Sequence, residues 1–151
     1  MPRPVKPLGH RPLATPTLAT LTLAVCASPL AAGTLDVRVS GIEQPRGEIL
    51  VALCTADEYL VRDCTHGGAA PADGGAVTIA VRDIPPGRYA VLVLQDLDGD
   101  RRLKRNLLGM PQEPVGFGND ASMRFGPPKF DAAAVDVAEG TSSTRVQLRY
   151  R

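Results

Sequence analysis

The sequence predicts an all-β fold: a single antiparallel β-sandwich with one long ordered loop, standing behind an N-terminal signal peptide. Three observations predict it. Short apolar runs with the two-residue period of strands recur from residue 34 to residue 150. The gaps between them are rich in Gly, Pro and Asp, and no segment carries a helical period for more than a turn or two.

The first element is the leader. MPRPVKPLGHR carries Arg3, Lys6 and Arg11 and no acid, and PLATPTLATLTLAVCASPLAAG follows, mostly apolar and ending in small residues. Basic region, apolar region and small-residue cleavage site are the order of a secretory signal peptide over residues 1–32, with a cut after Ala32 and a rival cut after Ala27. Pro12, Pro16 and the threonines leave too short an apolar run for a spanning helix, so no stable membrane span is expected after cleavage. Cys26 follows Val25, which is larger than the residue a lipobox-like site takes. Residues 33–151 have the length of one domain, and losing three bases with the leader takes the formal charge from +1 to −2. A near-neutral domain gives no electrostatic reason for a nucleic-acid partner. The expected location is the periplasm or the extracellular space.

Five strand signals follow, and a sixth that is weaker. TLDVRVSGI alternates Leu35, Val37 and Val39 with Asp36, Arg38 and Ser40, as a half-buried strand does. GEILVALC is apolar on both parities, as expected of a central strand. AVTIAV puts Val77, Ile79 and Val81 on one face, and RYAVLVLQD is again apolar on both. AAAVDV is the weaker strand, and TRVQLRY points Val146, Leu148 and Tyr150 one way. Between them QPRG, HGGAAPADGG, IPPG and FGPPK read as turns, while TADEYL and PKFDAAA could each support one helical turn. In IPPGRYAVLVL the prolines cannot donate to a ladder, Gly87 lets the chain turn, and Tyr89 starts a strand with its ring placed to cover the core. That strand start resembles those of transthyretin-like and carboxypeptidase-regulatory-like sandwiches, which implies an immunoglobulin-like or transthyretin-like architecture.

Cysteine use agrees with export. With Cys26 gone, Cys54 and Cys64 remain, an even count in an oxidising compartment, and a bridge between them would contribute roughly 2 to 3 kcal/mol. Their spacing is wider than a C-x-x-C redox motif, and His66 is the one histidine near them, so a structural disulfide is the expectation over a redox pair or half of a metal site. His66 reads as a surface-loop residue in a Gly-rich segment.

The stretch from Gln95 to Ser122 has no strong strand or helix signal, a length at which loops are functional or held by their own packing. Leu107, Leu108, Met110, Val115 and Phe117 could supply that packing. Asp96, Asp98 and Asp100, spaced by two, could converge on Ca²⁺ if the chain wraps around the ion. An EF-hand register fails, because Arg101 stands at its sixth position and Leu107 at its twelfth. Arg101, Arg102, Lys104 and Arg105 crowd the acids, and the rival reading is a solvated loop of ion pairs worth about 0 to 1 kcal/mol each. No cofactor is expected, with Ca²⁺ as the exception.

The stretch GRYAVLVLQDLDGDRRLKRNLLGMPQEPVGFGNDA, followed by FGPPKFDAAAVDV, resembles the exported bacterial proteins of the DUF2141 family. The matching positions are Asn106, Leu108, Gly109, Pro111, Glu113, Gly116, Phe117, Asn119, Gly126, Pro127, Pro128, Phe130 and Ala133. The resemblance implies export, a β-sandwich and a shared loop, and assigns no activity. The chain departs from the pattern in the turn, which in similar proteins resembles D-x-N-G-N-G-x-x-D: Arg101 replaces the later Gly and Lys104 the last acid.

The inventory for catalysis is thin. Ser122, Ser142 and Ser143 sit in no nucleophile-elbow context, and phosphate loops and zinc motifs are absent from the sequence. Glu113 could act as an acid or base, with no partner carboxylate that sequence alone places beside it. The expected function is therefore a non-catalytic binding or structural module of the envelope or periplasm, taking a protein, glycan or small ligand through the loop. The alternative is a small metal-dependent enzyme using the Asp-rich turn.

Overall fold

The computed structural model describes residues 31–104, 106 and 111–150. The expected signal peptide, save its last two residues, lies outside them, as do Leu107, Leu108, Gly109 and Met110 of the loop. The strands are β1 (Gly33–Ile42), β2 (Glu48–Cys54), β3 (His66–Pro71), β4 (Gly75–Ile84), β5 (Gly87–Asp96), β6 (Val115–Phe117), β7 (Ala134–Val137) and β8 (Gly140–Gln147), with one helical turn α1 (Phe130–Ala133) before β7. They form two sheets, β4-β1-β8 and β3-β2-β5-β6, and β7 shares with β6 the edge of β5 that β2 leaves open.

The core lies between the sheets. Leu35, Val37 and Val39 of β1 face Ile49, Val51 and Leu53 of β2 and Val91 and Val93 of β5 in one buried cluster, and each such side chain contributes about 1.5–3 kcal/mol by leaving water. The doubled apolar pattern of β5 has a structural cause. Tyr89, Val91 and Val93 enter this core, while Ala90, Leu92 and Leu94 pack on the outer face into a second cluster with Tyr59, Val115, Phe117 and Ala133. Tyr89 is buried at the start of β5, and its hydroxyl donates to Pro85 O at 2.9 Å, so the ring covers the core as its position predicts.

The sandwich is antiparallel with one exception. β8 starts at Gly140, earlier than its apolar alternation suggests, and runs parallel to β1 from Gly33–Gly140 to Ser40–Gln147. A two-residue period reports the buried face of a strand and is blind to its direction. Two strands fall where the sequence predicts turn or loop. β3 occupies HGGAAP, so His66 is a half-buried strand residue packed edge-on against Tyr89, with ring centroids 5.8 Å apart, and not a surface-loop residue. A Cβ on Gly67 would stand 2.5 Å from Val51 O, so the glycines that read as a turn permit this close pairing with β2. β6 and a 3₁₀ turn at Gly118–Asp120 lie inside the supposed structureless stretch, whose first two residues, Gln95 and Asp96, belong to β5.

The TADEYL segment makes hydrogen-bonded turns, with Tyr59 N donating to Thr55 O at 3.0 Å and Arg62 N to Glu58 O at 3.1 Å. Glu58 organises it in the manner of a capping box: its Oε2 accepts from Thr55 N at 2.9 Å and its Oε1 from the Thr65 hydroxyl. The Cys54–Cys64 disulfide closes the same segment, with the Cα atoms 4.7 Å apart. The bond from Thr65, aided by that from Thr55, pulls the Glu58 carboxyl down from its ordinary 4.5 to about 2. Its stabilisation is therefore present above about pH 4.5 and lost as the pH falls toward 2. Melting of the native chain and of Glu58→Gln across that range should show a gap that narrows below pH 4.5 and closes near pH 2. A gap independent of pH would remove Glu58 as its source.

Candidate functional site

The end of β5 sets the geometry of the long loop. Gln95 and Asp96 are both fully buried, a polar pair that closes an otherwise apolar strand. The Gln95 side chain points to the β1–β2 connection, donating from Nε2 to Gln44 O at 2.7 Å and Arg46 O at 2.9 Å, and its Oε1 accepts from the Tyr150 hydroxyl at 2.7 Å. Sequence reasoning passes over Gln95. Its signal is the polar pair QD after five residues that are apolar on both parities.

Asp96 folds the turn that follows. Its Oδ1 accepts from Gly99 N and its Oδ2 from Arg101 N, each at 2.8 Å. Arg101 thereby takes φ +56°, the left-handed backbone in which the pattern it resembles carries Gly. Its guanidinium leaves the turn and reaches Glu48 at 3.5 Å. Lys104 serves the exposed acids instead, pairing with Asp98 and, at 3.3 Å, with Asp100. The ammonium holds the Asp98 carboxyl below its usual range, and Asp98 followed by Asp100 pushes Lys104 up.

The three aspartates do not converge as a set. Asp96, Asp98 and Glu113 do: one carboxylate oxygen from each lies within 4.8 Å of the others, while Asp100 stays outside and accepts from Arg102 N at 2.8 Å. Glu113 is 7 % exposed, and its Oε1 accepts from Leu97 N at 3.0 Å. Its partner carboxylates, invisible in the sequence, are thus the first two of the Asp turn. The Pro114 carbonyl accepts from Gln95 N at 2.9 Å, which holds Glu113 against the end of β5.

Beside the turn, the outer face of sheet β3-β2-β5-β6 carries a groove of about 220 Å³ lined by Leu50, Ala52, Leu92, Leu94, Leu103 and Phe117, with the exposed Arg101 also in its wall. Val115 and Phe117 form part of its floor, which is the packing role the sequence predicts for them.

The other motif residues are mostly braces. Gly116 lets β6 pass β8, since a Cβ there would stand 2.4 Å from Val146 Cγ1 and 2.8 Å from Gln147 O. Asn119, at φ +56°, donates from Nδ2 to Ala134 O at 2.9 Å. Tyr59, its hydroxyl pushed up to about 12 by burial, donates to Pro128 O at 2.7 Å and meets Phe130 edge-on at 5.9 Å, which docks the Gly126-Pro127-Pro128 segment. Ala133 is fully buried in the second cluster, Pro111 is half-buried beside Glu113, and Asn106 is exposed. Leu108 and Gly109 lie outside the described residues.

Among the described residues no helix is long and apolar enough to cross a membrane. The sequence model of the family described as "Uncharacterized protein conserved in bacteria (DUF2141)" matches residues 37–145, so the chain belongs to that family. No curated protein and no solved structure matches it, and the likeness to transthyretin-like sandwiches rests on the strand start at Gly87 alone.

Proposed function

We propose that this member of the DUF2141 family is an exported, non-catalytic binding module that takes a small ligand with an apolar body and an anionic group into the groove beside the Asp-rich turn. The observation that carries this reading is the composition of the groove: aliphatic and aromatic side chains on a rigid sheet face, with the Arg101 cation in the wall. Its volume is below that of drug-sized pockets and suits a short acyl chain or a single aromatic system. Such a lining would leave glycan hydroxyls unpaired. The acids of the turn favour a holding role over turnover, because Asp96 is fully buried and Glu113 nearly so, bonded to backbone amides of the loop. Export is supported by the order of basic, apolar and small residues in the leader and by the Cys54–Cys64 bridge.

The test expresses the full chain in a bacterium, reads its N-terminus in the periplasmic fraction, and titrates that material with dimethylaminonaphthalene sulfonate, a fluorescent probe that joins one aromatic system to an anion. The expected N-terminus is Gly33, the first residue of β1. Fluorescence should rise to saturation at one site, and Leu103→Ala and Arg101→Gln should each weaken binding by about tenfold. An intact leader in the cytoplasm would defeat the export reading. Unsaturable fluorescence, or variants that bind as the native chain does, would defeat the groove.

A further inference from the structure

The cluster of Asp96, Asp98 and Glu113 adjoins the groove through Arg101, whose N–H Asp96 holds, but contributes no side chain to its lining and does not depend on an occupant there. Two of its three carboxylates are withdrawn from water, Asp96 completely and Glu113 to all but 7 %. Burying carboxylates is costly unless a cation or hydrogen-bond donors compensate them. Backbone amides satisfy both oxygens of Asp96 and Oε1 of Glu113. Glu113 Oε2 is buried and, among the described residues, has no hydrogen-bond partner. Lys104 pairs with Asp98 and Asp100, and no ion pair to Asp96 or Glu113 occurs among the described residues. Among the described residues the arrangement is thus a near-buried acidic site with an oxygen lacking a donor and a cation on its exposed side.

We propose that Asp96, Asp98 and Glu113 form a Ca²⁺ site, in which the ion takes the lone pairs left by the backbone amides and the Lys104 ammonium is displaced from Asp98. The donor set is all oxygen, which selects a hard cation over zinc or copper. Oxygens on a Ca²⁺ sphere of radius about 2.3–2.6 Å stand about 3.3–3.7 Å apart when adjacent and up to about 5 Å when opposite, so three oxygens within 4.8 Å of one another close on a single ion with small side-chain shifts. Three carboxylates supply three to six of the usual six to eight oxygens, and water supplies the rest. Asp98 is the exposed member through which the ion enters, and Lys104 is its competitor. Asp100, which the alternating sequence pattern would include, pairs with Lys104 at 3.3 Å and is not a ligand.

Calorimetry and thermal melting of the purified full chain test this with Ca²⁺ and Mg²⁺ as the probes. The native chain should bind one Ca²⁺ saturably, melt at a higher temperature with it, and bind Mg²⁺ at least tenfold more weakly. Glu113→Gln keeps an acceptor for Leu97 N and Asp98→Asn keeps the side-chain shape; both should weaken Ca²⁺ binding at least tenfold. Lys104→Gln, an exposed change that leaves the fold intact, should strengthen it severalfold, and Asp100→Asn should leave it within about threefold. Three results would overturn the assignment: no heat or melting shift at millimolar Ca²⁺ in both the native chain and Lys104→Gln, equal binding of Mg²⁺, or loss of binding in Asp100→Asn but not in Glu113→Gln.

Discussion

Replacing Cys54 and Cys64 together by alanine is expected to lower the free energy of unfolding by about 2 to 3 kcal/mol. The bridge spans a sequence separation of 10, and in the chain-entropy account a loop of that size removes about that much freedom from the unfolded ensemble. Cys54 is also fully buried in the second cluster, so the native state keeps an apolar contact that alanine preserves only in part. The bridged segment carries Tyr59, which bonds Pro128 O and packs on Phe130. Local opening should therefore reach beyond residues 54–64 to α1, and amide exchange at Ala132 and Ala133 should quicken in the variant while that of β1 changes only with global stability. Urea unfolding of the native chain, the reduced chain and the double variant measures the first effect. A loss below about 1 kcal/mol in both altered forms would mean that Glu58 and its two threonines hold the segment without the bridge.

The sandwich is legible in the sequence wherever burial is one-sided. Leu35, Val37 and Val39 alternate with polar residues because one face of β1 meets the core, and Val146 and Leu148 do the same near the end of the chain. β5 shows both parities apolar because it is buried on both faces, and that too can be read. Hidden features have other causes. β3 is built on Gly67 and Gly68, whose missing side chains serve the approach of neighbouring strands yet carry the signature of a turn. β6 is three residues long, below the length at which a period can register. The partnership of Glu113 with Asp96 and Asp98 spans the whole loop and is closed by backbone bonds from Leu97 and Gln95, so nothing local announces it. Spacing by two groups Asp100 with Asp96 and Asp98, but Asp96 holds the amides of Gly99 and Arg101, and Asp100 pairs with Lys104 while Glu113 lies beside the other two.

Gly47→Ala is expected to destabilise the fold by roughly 3 kcal/mol or more, the sum of a left-handed backbone occupied by an L side chain and an overlap that only backbone movement relieves. Gly47 sits at φ +77°, and a Cβ there would lie 1.9 Å from Asp96 O, 2.9 Å from Asp96 C and 3.1 Å from Leu97 Cα. All three neighbours are main chain, so no rotamer change makes room. Gly75 is the matched control: it has φ +72° and nothing within 4 Å of the same atom, so Gly75→Ala should cost only the conformational share, about 1–2 kcal/mol. Urea unfolding of the two variants separates the contact from the dihedral. The displaced group is also the residue whose carboxylate holds Gly99 N and Arg101 N, so the amide resonances of those two residues should shift in Gly47→Ala and stay in place in Gly75→Ala. Equal destabilisation by the two changes, with both resonances unmoved, would show that the β1–β2 connection yields to the added methyl and does not fix the position of the acidic turn.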